Sequence, residues 1–163
     1  MEMRTVVVAF AWGVALLTSP ASSSAQTRPV TPVTDAVLQQ PDPGDWLNWR
    51  RTLDGWGYSP LEEVDRTNVG ELQLAWSWGL EPGVSQTTPL VHDGVMYVAN
   101  PGHVVQALDA RNGDFIWEYR REIEDAARRP GAQMRSLAIY QDLIILNTFD
   151  AHVVGLNART GEV

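Results

Sequence analysis

The chain has 163 residues, with 20 acids against 12 Lys plus Arg and a net charge of −8. That balance excludes a nucleic-acid binder, because phosphate recognition needs a basic face, and a hydrophobic content of 44% excludes a disordered chain. The absence of cysteine removes disulfides, thiolate metal sites, a covalent haem attachment and a lipidation cysteine together. In chain order, the first predicted element is a signal peptide over residues 1–25. Arg4 supplies the positive start, residues 5–17 form the apolar core, and Ser23 and Ala25 stand where a signal peptidase reads small residues. The apolar run is shorter than the roughly 20 residues of a membrane-spanning helix, so cleavage, export and no stable membrane insertion are expected.

Residues 26–44 are rich in Pro, Thr and Gln without periodicity and read as a flexible leader. Ordered sequence is expected from Asp45 onward. Asp65 or Thr67 is placed to cap a short turn, and LQLAWSW (72–78) alternates as a strand does.

The rest of the chain is a repeat. Shifted by 48 residues, the separation of Ala107 from Gly155, LVHDGVMYV (90–98) falls on AIYQDLIIL (138–146) without a gap. HVVQALDARNGDF (103–115) likewise falls on AHVVGLNARTGEV (151–163). Each unit reads as strand, tight turn, strand, loop, strand, tight turn, strand. Asp93-Gly94 is a strong two-residue hairpin turn, because glycine accepts positive φ, and Gln141-Asp142 is its weaker counterpart. DARNG (109–113) and NARTG (157–161) open on a side chain able to bond backbone N–H groups two residues on, and close on Gly for a left-handed position. Four short antiparallel strands at this period predict an all-β chain made of β-propeller blades.

The turn motif continues to a tryptophan in the pattern Ala107, Asp109, Gly113, Trp117. Trp117 ends on the last strand of its unit with a large flat surface and one N–H donor. It is expected to bridge to the next blade, with Ala107 leaving room for the ring. The second copy stops before the position of its own tryptophan, so the chain is expected to be the amino-terminal part of a longer protein. An incomplete ring would otherwise leave an open sheet edge.

Two segments, WRRTLDGWGYSPLEEVDRTNVGELQLAWSW (49–78) and TTPLVHDGVMYVANPGHVVQALDARNGDFIWEYRR (87–121), resemble the amino-terminal pattern of pyrroloquinoline quinone (PQQ) dependent alcohol dehydrogenases. The resemblance covers residues 45–163. It implies an eight-bladed propeller, of which this chain would hold the amino-terminal strand and about two blades. It further implies a periplasmic quinoprotein oxidising a small alcohol by hydride transfer to PQQ, with Ca2+ as Lewis acid and a cytochrome c as electron acceptor. The Ca2+ ligands and the catalytic base are expected beyond residue 163, so no catalytic or metal-binding residue is assigned here, and this chain alone is expected to be inactive.

Two cofactor-binding positions of the family fall inside the chain. One is the residue two before Thr-Pro, a glutamate in the family and Gln86 here, which keeps an acceptor but loses the charge. The other is Arg135, whose guanidinium suits a cofactor with three carboxylates. The paired cysteines that many members carry just before that arginine are missing from RRPGAQMR (128–135), which weakens kinship to methanol dehydrogenases. His92, His103 and His152 lack metal-ligand spacing and read as surface or turn residues, with His92 beside the Asp93-Gly94 turn. The charged stretch 121–129 reads as a solvated excursion. Two alternatives remain: a noncatalytic propeller scaffold, and a relative that has lost PQQ, to which Gln86 points.

Overall fold

The computed structural model describes residues 29–124 and 134–163, so the signal peptide predicted over 1–25 and part of the 121–129 excursion lie outside the described residues. Two antiparallel sheets carry the repeat. The first holds β1 (Leu90–His92), β2 (Val95–Asn100), β3 (Val104–Asp109) and β4 (Phe115–Arg120); the second holds β5 (Ala138–Tyr140), β6 (Leu143–Asn147) and β7 (Val153–Asn157). In both, each strand pairs with the next one in sequence, as in a propeller blade. Among the described residues no helix is long and apolar enough to cross a membrane.

The predicted turns form as their chemistry requires. Asp93 and Gly94 take φ of 50° and 74°, the left-handed pair of a tight hairpin. Asp109 Oδ1 accepts the Arg111 N–H at 3.0 Å, and Asn157 Oδ1 accepts the Arg159 N–H at the same distance. Each loop then closes with a backbone bond of 2.8 Å, from Gly113 N to Asp109 O and from Gly161 N to Asn157 O. The two turns share these hydrogen bonds.

A single apolar core runs through both sheets, from Leu90, Tyr97, Val105, Ala107 and Trp117 to Ile139, Ile144, Leu146 and Leu156. Across the first sheet, Leu90 faces Tyr97, Tyr97 faces Ala107, and Ala107 faces Trp117. The small Ala107 thus lies between two large aromatics, whose ring centres are 6.0 Å apart. β3 is buried along nearly its whole length, whereas β4 buries little besides Trp117.

The structure corrects two expectations about the segment before β1. Residues 29–44 do not run as a flexible leader. Val33, fully buried, exchanges two backbone hydrogen bonds of 2.8 Å with Gln141 at the β5–β6 turn. Thr34 then caps the short helix α1 (Asp35–Gln39), accepting the Val37 N–H at 3.4 Å. Trp46 next bridges Val91 on β1, so one strap touches both sheets. Its valines and leucines (Val30, Val33, Val37, Leu38, Leu47) overrode the polar composition, because they reach the core.

The second correction concerns LQLAWSW (72–78). It is not a paired strand, since no ladder partner stands beside it among the described residues. A strand is a paired object, and alternation alone does not make one. The short turn before it forms as a 3₁₀ turn at Val69–Glu71, and Asp65 Oδ1 organises it by accepting the Thr67 and Asn68 N–H groups.

A polar link joins the sheets at the β6–β7 turn. Arg121, just past β4, holds the Asp150 carboxylate through Nε and Nη2 at 2.6–3.1 Å, and the Thr148 hydroxyl also donates to that carboxylate. The guanidinium first, then the Thr148 hydroxyl, holds the Asp150 carboxyl well below its ordinary 3.8. A carboxylate depressed on folding contributes stability that is present above its free pKa and lost as pH falls through the folded value. Asp150→Asn is therefore expected to lower the denaturation midpoint at neutral pH. It should also flatten the loss of stability on acidification below the ordinary carboxylate range, as followed by urea titrations across pH.

Candidate functional site: a tryptophan seam and an open cleft

The seam between the sheets is built on the repeated turns. Trp117 donates its indole N–H to the Ala158 carbonyl at 3.0 Å, in a buried contact. Its ring lies flat on Gly161, where an added Cβ would stand 2.6 Å from Trp117 Cε3. Gly161, with φ of 74°, is needed both for the left-handed turn and for the ring's close approach. One unit earlier the same contact recurs. Trp76 donates to the Ala110 carbonyl at 3.2 Å and lies on Gly113, where a Cβ would stand 2.7 Å from Trp76 Cε3.

In the sequence, Trp76 stands only within the alternating stretch 72–78. It does not follow an Ala-x-Asp turn, so the outgoing half of the motif is missing. The receiving half was visible: DARNG presents the same small surface as NARTG, and a tryptophan must come from upstream to cover it. Trp78 adds a second anchor, donating to Gln106 Oε1 at 2.9 Å and stacking on Phe115 with centroids 6.1 Å apart.

The two predicted cofactor positions meet. Gln86 and Arg135 line one open cleft of about 410 Å³ together with Trp49 and Ser136. Each comes from the segment entering the first strand of its own sheet, Gln86 before β1 and Arg135 before β5. Thr87, next to Gln86, fixes that segment by donating its hydroxyl to the Ala99 carbonyl on β2 at 2.9 Å. Arg135 and Ser136 are exposed between the buried Met134 and Leu137, which anchor both sides of the pair. Gln86 is likewise exposed.

Trp49 gives the cleft a flat apolar wall. The Arg50 guanidinium sits 5.5 Å from its ring centre and donates to the Gly55 carbonyl at 2.8 Å, tying the wall to the RTLDG loop. A guanidinium, an amide and a hydroxyl supply donors here and the indole face supplies a flat surface, a combination suited to a planar anion.

The histidines divide in a way their spacing did not show. His92 is a buried ion-pair residue, not a surface turn residue, with Nδ1 2.7 Å from Asp45 Oδ2 and Nε2 2.7 Å from the Thr31 carbonyl. His103 is buried edge-on to Phe149 at 4.2 Å, and burial pushes its pKa below the ordinary value. Only His152 is exposed. Among the described residues, no group of three or more His, Asp or Glu side chains could hold a metal ion.

Comparison with known proteins agrees with the blade fold. The family described as "PQQ: Glucose/ethanol/alcohol dehydrogenase, beta-propeller domain" matches residues 46–163. The quinohemoprotein alcohol dehydrogenase ADH-IIG of Pseudomonas putida is 37% identical over 133 residues, which is 77% of this chain and 18% of that protein. The 1-butanol dehydrogenase (cytochrome c) of Thauera butanivorans is 37% identical over 127 residues, covering 73% of this chain and 18% of the relative. The solved structure of ADHIIG from Pseudomonas putida HK5 superposes with a TM-score of 0.75 at 35% identity, covering 82% of this chain and 20% of that one. The chain thus spans about a fifth of the length of the relatives it matches. With its two successive blade sheets, the chain belongs to the PQQ-dependent alcohol dehydrogenase family of β-propeller proteins.

Proposed function

We infer that this chain supplies part of the cofactor site of a periplasmic quinoprotein that oxidises small alcohols. The observation that carries the reading is the meeting of Gln86 and Arg135, from the segments that lead into two different sheets, in one cleft. Arg135 would pair with a carboxylate of PQQ, and Ser136 and Gln86 would add neutral hydrogen bonds to the same edge. Trp49 would cover one face of the ring system and exclude water from it. When bound, PQQ supplies a quinone able to accept hydride from an alcohol carbon, with Ca2+ as Lewis acid and a cytochrome c as the route out for electrons. On this reading the Ca2+ ligands and the base would come from outside these 163 residues.

Direct titration with PQQ, in the presence of Ca2+, tests the reading on the protein extended to the length of its relatives. Arg135→Ala should weaken PQQ affinity by about 10- to 100-fold, the usual worth of a charge-assisted hydrogen bond. Gln86→Ala should cost less, because a neutral amide is a weaker partner than a guanidinium. Unchanged affinity in Arg135→Ala would remove Arg135 from the site. No PQQ binding in the parent would favour a propeller that has lost its cofactor, the alternative that Gln86 suggests.

A further inference from the structure

His92 occupies a position that none of the cofactor chemistry uses. Its ring is almost wholly buried, and it lies between two groups that only accept hydrogen bonds: the Asp45 carboxylate on Nδ1 and the Thr31 carbonyl on Nε2, both at 2.7 Å. A neutral imidazole carries one N–H and cannot donate on both sides. Both bonds are satisfied together only by the imidazolium.

The charged groups facing the ring are both negative. Asp45 comes from the strap, and Asp93 comes from the turn after β1, its Oδ2 lying 3.7 Å from Nε2. Asp45 Oδ1 also accepts the Asp93 N–H at 3.2 Å, and Asp93 Oδ2 accepts the Thr31 N–H at 2.6 Å. The remaining titratable neighbour on β2, Tyr97, is kept a neutral phenol by burial and by the same two carboxylates. One proton therefore closes a ring of contacts between residues 31, 45, 92 and 93.

We propose that His92 is a proton-held latch that fastens the amino-terminal strap to the first sheet, and that loss of its proton releases the strap. The strap is the piece that crosses between sheets, pairing Val33 with Gln141 and Trp46 with Val91. It continues through the buried Leu47 to Trp49, a wall of the cleft, so the latch also governs how firmly that wall is held. The latch stands on geometry that needs no cofactor and is independent of the function proposed above.

Burial disfavours the imidazolium, but the Asp45 hydrogen bond, the Thr31 carbonyl and the two carboxylate charges outweigh it. The His92 pKa is thereby raised above its ordinary 6.5. A raised histidine pKa contributes stability that is fully present below the free value and lost as pH rises through the folded value. Release therefore belongs to the alkaline side.

The test is a pH series by NMR on the chain itself, from about pH 5 to about pH 9. Imidazole nitrogen shifts report the protonation of His92, and hydrogen-exchange protection factors report the Val33, Trp46, Val91 and Gln141 amides that carry the bridges. Both nitrogens of His92 should be protonated at neutral pH. Protection of the four bridge amides should then fall in step with the loss of that proton, up to tenfold per pH unit, while amides between β2 and β3 keep theirs. In His92→Gln, which cannot titrate, strap protection should be lower at neutral pH and independent of pH. A singly protonated His92 at neutral pH, or strap protection that does not change as His92 titrates, would overturn the proposal. Both observations come from the parent chain and stand even if the variant fails to fold.

Discussion

Trp117→Ala is expected to destabilise the chain by about 4 kcal/mol, within the range for removing a buried aromatic side chain. Three losses coincide: the apolar area between the sheets, the hydrogen bond to the Ala158 carbonyl at 3.0 Å, and the surface that covers Gly161. Because Tyr97 also packs on this ring, the void opens toward the core instead of toward solvent. Trp117→Phe separates the terms. It keeps an aromatic surface but deletes the donor and part of the area, and should cost about half as much. Gly161→Ala attacks the same contact from the other side. The new methyl would collide with the indole at a left-handed φ, for about 2–3 kcal/mol from overpacking and backbone strain. Once Trp117 is alanine the collision disappears, so the double variant should be more stable than the sum of the two singles predicts. Urea denaturation of the parent and the four variants measures all of this, and strict additivity of Trp117→Ala and Gly161→Ala would show that the ring does not rest on Gly161.

Asp45→Ala has the second largest expected effect, about 3 kcal/mol, because it leaves a buried imidazolium without its carboxylate. The cost should sit at the lower end of the range for broken buried pairs, since Asp93 remains 3.7 Å from the other ring nitrogen. His92→Leu should also destabilise, by leaving Asp45 buried with no cationic partner. The double variant Asp45→Ala/His92→Leu should recover part of the loss, because neither half of the pair is then stranded. Equilibrium denaturation near neutral pH gives the coupling. An interaction term near zero would mean that the two residues fold independently.

What could be read in advance follows from where the information sits. DARNG (109–113) and NARTG (157–161) carry their own turn chemistry, so the Asx bonds and the left-handed glycines are legible from these short segments alone. The hairpins were legible for the same reason: Asp93 and Gly94 need no distant partner to bend the chain. Gln86 and Arg135 were each picked out through a family resemblance, but only folding brought the ends of two different sheets to one cleft. The Asp45–His92 pair was hidden, because the residues lie 47 apart and meet only when the strap crosses β1. Composition misjudged that strap, since a few apolar residues among prolines and polar residues sufficed to seat it in the core.

The sequence by itself determined the all-β class, the 48-residue period, the turn types and the tryptophan that leaves the first unit, because these are local or repeated properties of neighbouring residues. Tertiary structure decided which carbonyl each indole meets, that 72–78 has no paired neighbour, that residues 29–44 bind both sheets, and that His92 is buried between two acceptors. Those facts depend on packing between segments far apart in the chain, where burial and the need to satisfy every buried polar group select one arrangement.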